Sequence, residues 1–290
     1  MLAAARMTIS LLKLRIGVAI SASALAGIAA AGGPTPAWWQ SAGLALAVLG
    51  ASGAAGAFNH YYERDLDLLM GRTRARPFAT GAFRPSPWWI AGFLALLLAS
   101  VVLAVVTAGT LAALFVFLGA FTYGVIYTVW LKRRSVCNIV IGGLAGSFAV
   151  LAGAAAVDPM PQLFPIVLAI VLFLWTPPHF WSLAAAKADD YSRAGVPMLP
   201  IVTPARAWTL AILAHTVALT GISLLPLWFG QGLLYGLGAG SGGAFFVWKS
   251  IALYRTPTKQ AAMANFLASL LQLLLLIAGV VLSAAASAWS

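Results

Sequence analysis

Five of the six acidic residues of the chain lie in two short clusters that are far apart in the sequence. In the first cluster, Asn59, Glu63 and Asp67 recur at every fourth position. If a helix continues through this segment, the amide and both carboxylates lie on one face of it. Stacked carboxylates repel each other unless a cation lies among them, and oxygen ligands of this kind suit Mg²⁺ held together with substrate phosphates. The first cluster therefore predicts a Mg²⁺ site.

Three arginines follow the first cluster closely, at Arg72, Arg74 and Arg76. The guanidinium group presents a fork of donors that matches phosphate oxygens. Acids and arginines so close together are what a metal-bridged diphosphate needs. The segment Lys132-Arg133-Arg134 has two interpretations, because it is either a topology signal or a further set of diphosphate contacts.

The second cluster combines charge with a histidine that lies deeper in the same segment. Lys187, Asp190 and Tyr191 share one face if the segment is helical. His179 precedes Asp190 by eleven residues. If one helix contains both, they lie roughly 16 Å apart along its axis. Either His179 is a hydrogen-bonded polar residue of the interior, or it contacts a substrate.

Such acids and bases could instead be ion pairs that solvate helix ends. Acidic residues are nearly absent from the rest of the chain, and the layout below places both clusters on one side. Shared function explains this concentration better than solvation does.

The composition identifies the elements that must position these residues. The chain has 290 residues, of which 62% are hydrophobic and 8% are charged. About a quarter of the residues are charged in a soluble domain, so lipid is the solvent here. The single cysteine excludes an internal disulfide and a cysteine metal cluster.

A membrane helix needs roughly 20 apolar residues, and about nine stretches meet this requirement. We predict an all-α, polytopic transmembrane bundle that forms a single domain over residues 1–290. We interpret the first stretch as a retained span and not as a cleaved signal peptide. The predicted spans are 12–32, 38–58, 87–107, 109–131, 136–157, 162–183, 205–228, 231–252 and 262–287.

Short, nearly uncharged connections alternate with connections that carry the charge. All 17 Lys and Arg residues lie in or beside the second set, which predicts that this set and the N-terminus are cytoplasmic. Both clusters then face the cytoplasm, in active-site loops near 59–86 and 184–204. The net charge of +11 suits contact with anionic lipid and is no indication of nucleic-acid binding.

Both clusters resemble the signatures of the UbiA-type intramembrane prenyltransferases, and most closely those of the branch that farnesylates haem. A third similar stretch contains Tyr127-Thr128 and Lys132-Arg133, and Lys13 matches a family lysine. Glu63 departs from the pattern, because bacterial members commonly have aspartate there. The first signature is matched by Asn59, Glu63, Arg64, Asp65, Asp67, Met70, Arg72, Thr73, Arg76 and Pro77. The second is matched by Trp175, Pro178, His179, Phe180, Trp181, Asp190, Tyr191, Ala194, Gly195, Val196, Pro197, Met198, Leu199 and Pro200.

The resemblance implies Mg²⁺-dependent transfer of farnesyl from farnesyl diphosphate to a vinyl group of haem b, with water addition giving haem O. It implies that Asn59, Glu63, Asp67 and Asp190 hold the metal, with Lys187 and Tyr191 beside them in the catalytic site. Arg72, Arg76, Lys132 and Arg133 would bind the diphosphate, and His179 would contact the haem.

The resemblance also implies the bacterial inner membrane as the location, with proteins of haem synthesis or terminal-oxidase assembly as candidate partners. Two alternatives stay open. A prenyltransferase that acts on a quinone precursor would share the metal site. An ion or proton transporter would also carry ionisable groups, but it should place its acids near the membrane midplane.

Overall fold

The computed structural model describes Met7 and residues 9–160 and 162–289, with side chains up to residue 287, and this part of the chain contains helices and no strand. The helix at Thr110–Phe121 (α5) continues as a π-helix over Thr122–Leu131, and the helix at Ala205–Leu224 (α11) continues as a 3-10 helix over Leu225–Phe229. The α-helices are α1 (Leu14–Ala30), α2 (Trp38–Tyr62), α3 (Arg64–Leu68), α4 (Pro87–Ala108), α5 (Thr110–Phe121), α6 (Asn138–Gly142), α7 (Leu144–Ala155), α8 (Leu163–Ala186), α9 (Ala188–Arg193), α10 (Leu199–Val202), α11 (Ala205–Leu224), α12 (Leu233–Arg255) and α13 (Lys259–Trp289).

Seven helical segments of the described chain are long and apolar enough to cross a membrane. They correspond to α2, α4, α5 with its π-helix, α6 with α7, α8, α11 and α13. Helix α1 is apolar but shorter, and the glycine-rich α12 lies outside the seven. The all-α membrane bundle is thus confirmed, while nine spans and a cytoplasmic N-terminus remain predictions.

The outer surface of the bundle suits lipid. On α4, the side chains of Leu94, Leu98 and Val102 recur at every fourth position and are exposed. Trp38 and Trp88 are exposed at the beginnings of their helices, as is typical of the interfacial aromatic belts.

Small residues let α1 and α7 approach each other until their backbones touch. A Cβ atom added to Gly153 would lie 1.8 Å from the carbonyl oxygen of Ala24, and one added to Gly27 would lie 2.1 Å from that of Val150. Close approach of this kind replaces the hydrophobic effect as the source of helix association in lipid. It fixes the position of α1, whose N-terminal end leads to the charged clusters.

A chain of buried hydrogen bonds links the helices of the second half of the bundle. Ser250 Oγ lies within hydrogen-bond distance of Thr216 Oγ1 (3.1 Å) and Asn265 Oδ1 (3.0 Å), and Asn265 Nδ2 donates to Ser182 Oγ at 2.9 Å. These bonds join α8, α11, α12 and α13. Buried polar groups at membrane depth need such partners, because lipid offers none.

One assumption about the second cluster is wrong. Helix α8 ends at Ala186. The chain changes direction at Lys187, which has φ −119° and ψ 34°, before α9 begins. His179 and Asp190 therefore lie on two different helices, and the depth calculated for one continuous helix does not apply. The break leaves Lys187 exposed and turns Asp190 towards the first cluster.

Candidate active site

The two acidic clusters are in direct contact, although 119 residues separate the atoms that meet. The backbone N–H of Gly71, in the loop that follows Asp67, donates to Asp190 Oδ1 at 3.2 Å. Asp190 also pairs with Arg193 on its own short helix. The clusters therefore lie on the same side of the bundle.

The first cluster keeps its helical spacing through the end of α2. The amide of Glu63 donates to the carbonyl of Asn59 at 3.0 Å, and the amide of Asp67 donates to that of Glu63 at 2.8 Å. The solvent-exposed fraction is only 2% for Asn59, 0% for Glu63 and 2% for Asp67. The four-residue spacing thus places all three side chains on one face, as predicted, and the structure shows that this face is buried.

Each of these three side chains is bonded to a basic residue from another segment. Lys13 Nζ donates to Asn59 Oδ1 at 2.7 Å, and Lys132 Nζ donates to Glu63 Oε2 at 2.5 Å. Arg76 donates to both oxygens of Asp67 at 2.9 Å.

A buried carboxylate is costly unless a positive charge lies beside it, so these contacts hold the cluster together. Glu63 Oε1 is buried and has no hydrogen-bond partner among the described residues.

A cavity of about 790 Å³ opens beside this cluster. The volume is in the range of small-molecule binding sites. Its polar wall is formed by Lys13, Arg15, Asn59, His60, Asp67, Arg72, Thr73, Arg76, Lys132 and Tyr191. Its apolar wall includes Ile20, Val48, Val116, Ala149, Ile139 and Phe180. One cavity thus joins a charged end to an apolar interior.

The π-helix brings two tyrosines and a threonine to the site. Tyr123 and Tyr127 line the cavity with their rings stacked at a centroid distance of 5.6 Å. Tyr123 Oη accepts from Lys13 at 2.9 Å, and Thr128 Oγ1 accepts from Asn59 Nδ2 at 3.1 Å. The wider π-helical turn lets Thr128 donate in turn to the carbonyl of Tyr123, five residues earlier, at 2.8 Å. π-Helical turns are frequent at functional sites.

The carboxylates outside the spans have different pKa values because their surroundings differ. Burial raises the pKa of Asp67, and the opposing effect of Arg76 is smaller. Burial also acts to raise the pKa of Asp190, but the Gly71 amide and Arg193 outweigh it and the pKa is lowered. A hydrogen bond from Arg133 lowers the pKa of the exposed Asp65 to about 2. Burial therefore disfavours the charged form of Asp67, and a cation beside it would favour that form.

Five predicted site residues lie outside the cavity wall, namely Glu63, Asp190, Arg133, Lys187 and His179. Arg133 is exposed and paired with Asp65 at 2.8 Å, and Lys187 is exposed. His179 is buried behind the wall, where Nδ1 bonds to Ser269 Oγ at 2.7 Å and the ring stacks on Trp175. Its neighbours Thr176 and Phe180 do line the cavity.

The candidate residues from the sequence did not include Lys13, Tyr123 or Thr128, although Lys13 and Thr128 are bonded to Asn59 and Tyr123 is bonded to Lys13. Lys13 and Thr128 match family positions, and that match was the available signal. Nothing in the spacing of Tyr123 indicates its role, because only the π-helical turn directs it to Lys13.

A family model for the UbiA prenyltransferase family matches residues 20–272 of the chain. The chain belongs to the UbiA prenyltransferase family. It is therefore a prenyltransferase of the membrane, and the contact between its two clusters builds the family's candidate active site.

Two relatives within the UbiA family are similar over most of the chain. Protoheme IX farnesyltransferase 2 of Paramagnetospirillum magneticum is 57% identical, covering 93% of this chain and 94% of that protein. Protoheme IX farnesyltransferase of Afipia carboxidovorans is 45% identical, covering 84% of this chain and 79% of that protein.

Solved structures of the UbiA type share the fold at low sequence identity. A digeranylgeranylglyceryl phosphate synthase superposes with a TM-score of 0.80 at 15% identity, covering 96% of this chain and 98% of that one. A UbiA homolog from Archaeoglobus fulgidus, solved with GPP and Mg²⁺, superposes with a TM-score of 0.71 at 15% identity, covering 94% and 99%.

Proposed function

We propose that this chain transfers the farnesyl group of farnesyl diphosphate to a vinyl group of haem b and thereby forms haem O. The observation that carries the proposal is the single cavity that joins Asn59, Asp67 and Arg76 to an apolar interior. Relatives that are 57% and 45% identical are protoheme IX farnesyltransferases, which supports haem b as the acceptor.

The residues of the first cluster fit Mg²⁺. The amide oxygen of Asn59 and the carboxylates of Glu63 and Asp67 are hard oxygen ligands, and Glu63 Oε1 is unpartnered. The described residues contain no group of three or more His, Cys, Asp or Glu side chains that would hold a metal alone. Mg²⁺ commonly uses one or two carboxylates and completes its shell with water and substrate phosphates, so fewer than three of the acidic side chains would be its ligands. Asp190 is a fourth candidate ligand.

The basic residues of the cavity would bind the diphosphate. Bound Mg²⁺ would neutralise part of the charge that develops on the leaving group. Lys132 and Arg76 are bonded to the acids and Lys13 is bonded to Asn59, so each can turn from its partner to a phosphate oxygen nearby. Arg72 lines the same wall. Arg133 and Lys187 would act at longer range, through the positive charge of the mouth.

The apolar part of the cavity would receive the farnesyl chain and the porphyrin. Departure of diphosphate leaves an allylic cation, and its first carbon bonds to the terminal vinyl carbon of haem b. The new cation on the inner vinyl carbon takes up water and loses one proton, which gives the hydroxyl group of haem O. The stacked rings of Tyr123 and Tyr127 present an aromatic surface that stabilises positive charge and excludes water.

Farnesyl transfer in membranes tests the proposal against a quinone-forming enzyme. Membranes that contain the chain are supplied with labelled farnesyl diphosphate and with either haem b or 4-hydroxybenzoate. We expect label in haem only, and we expect its loss with EDTA and its recovery with added Mg²⁺. Label in the benzoate, or transfer that EDTA does not reduce, would contradict the proposal.

We further propose that residues 1–290 act as one domain in the bacterial inner membrane, with the clusters on the cytoplasmic side. The positive residues around the clusters support this orientation. Partner proteins of haem synthesis or oxidase assembly remain a prediction.

Asp190 can be tested against its neighbour Asp189, which is exposed and paired with Lys259 at 2.6 Å. We expect Asp190→Asn to reduce transfer by about tenfold to a hundredfold, because it weakens the contact with the Gly71 loop and removes a candidate ligand. Asp189→Asn should retain nearly full activity. If Asp190 binds the metal, the Mg²⁺ concentration for half-maximal rate rises; an unchanged value would limit Asp190 to positioning the loop.

His179, which lies behind the cavity wall, provides a second test. We expect His179→Ala to raise the KM for haem b severalfold and to leave the KM for farnesyl diphosphate unchanged, because His179 supports Phe180 and Thr176 from behind. The matched variant Ser269→Ala keeps the imidazole and removes its hydrogen bond to Ser269, together with the bond from Ser269 Oγ to the carbonyl of Phe266. Full activity and haem affinity in His179→Ala would remove this residue from the acceptor site.

A further inference from the structure

Two of the five Lys and Arg residues in the cavity wall have no side-chain hydrogen bond or ion pair with any described residue. Lys13, Arg76 and Lys132 are bonded to the first cluster. Arg15 and Arg72 are exposed, line the cavity, and make no side-chain hydrogen bond or ion pair among the described residues. They therefore lie at the mouth with their donors available to a ligand.

The charge of the cavity exceeds what the diphosphate requires. Five basic residues line the wall, while Asp67 and the Lys132-bonded Glu63 provide two negative charges, so three positive charges are in excess. An allylic diphosphate brings about three negative charges, and one Mg²⁺ returns two positive charges. About two positive charges are then unbalanced at the mouth, which is favourable for a second anionic substrate.

The two free arginines belong to different walls. Arg72 lies in the loop after Asp67, on the same segment as Arg76, and is a candidate for the diphosphate. Arg15 lies in the first turn of α1, two residues after Lys13, which is bonded to Asn59. Arg15 is thus the one Lys or Arg residue of the described wall that is neither bonded to the first cluster nor a candidate for binding the diphosphate.

We propose that Arg15 binds a propionate carboxylate of the porphyrin acceptor and so determines which edge of the acceptor enters the cavity. The inference rests on the proposed function. Haem b carries its two propionates on the edge opposite its vinyl groups, and a guanidinium fork matches a carboxylate. Holding the propionate edge at the charged mouth directs the vinyl edge to the apolar interior, where the farnesyl cation forms.

The test compares the KM values of wild type and two Arg15 variants for two acceptors. Wild type, Arg15→Gln and Arg15→Lys are assayed with haem b and with its dimethyl ester, which lacks the negative charges. We expect wild type to prefer the acid over the ester by about tenfold in KM, and Arg15→Gln to lose most of this preference. Arg15→Lys should retain part of it, and the KM for farnesyl diphosphate should stay within about twofold in all variants.

Arg206→Gln is the matched control, since Arg206 is exposed but lies outside the cavity wall. It should keep the wild-type preference. An unchanged acid-to-ester preference in Arg15→Gln, or an equal rise in KM for farnesyl diphosphate, would overturn the role of Arg15 while haem farnesylation stands. If wild type farnesylates neither acceptor, the proposed function itself is refuted, and the inference falls with it.

Discussion

Replacing Asp67 with asparagine should lower farnesyl transfer by about a hundredfold to a thousandfold. Asparagine keeps the shape of the side chain but removes the negative charge that would hold Mg²⁺ against the diphosphate. Asp67 is buried in the cavity wall, where charge interactions are stronger than in water. The rate of labelled farnesyl transfer, measured over a range of Mg²⁺ concentrations, provides the comparison.

Asp65→Asn is the matched control for this variant. Asp65 lies two residues away but is exposed and paired with Arg133 outside the cavity, and exposed pairs contribute little to stability. We expect it to retain at least half of the wild-type rate. Equal losses in the two variants would mean that charge near the mouth matters generally and that Asp67 has no special role.

Because Asp67 is bonded to Arg76, folding of the Asp67→Asn variant must be checked separately. Thermal unfolding in detergent and the elution volume on size exclusion should stay close to those of wild type. A folded variant with a full transfer rate would contradict the metal assignment.

Gly153→Ala should prevent the bundle from assembling. The added methyl group would lie 1.8 Å from the carbonyl oxygen of Ala24 and 2.9 Å from the amide nitrogen of Ile28, so α1 and α7 would have to separate. Both contacts are with backbone, which cannot rotate away, so we expect a cost of at least about 3 kcal/mol. Yield of folded protein and melting temperature in detergent measure the effect.

Gly221→Ala is the control, because a Cβ atom on this helical glycine meets nothing within 4 Å. It should be neutral or slightly stabilising, since alanine favours helix over glycine. A Gly153→Ala protein that melts like wild type would show that α1 can shift without loss. The contact matters for activity as well, because α1 carries Lys13 and Arg15 to the cavity.

The class of the protein and most of its helices could be predicted from the chain alone. Long apolar stretches have few stable structures in lipid, so hydropathy located α4 and α8 to within a few residues. The shared face of Asn59, Glu63 and Asp67 followed from local spacing, because helical hydrogen bonds continue through the end of α2. Where the chain turned at Lys187, the assumption of one helix failed, since no glycine or proline marks that break.

The sequence by itself therefore determined the solvent, the helical class and the presence of two acidic clusters, because these depend on composition and on spacing within a few turns. Only the tertiary structure decided which base meets which acid. The bonds from Lys13 to Asn59 and from Lys132 to Glu63 join residues 46 and 69 positions apart. Such partners are selected by how helices pack, through contacts such as Gly153 against Ala24, and packing depends on the shape of the whole bundle.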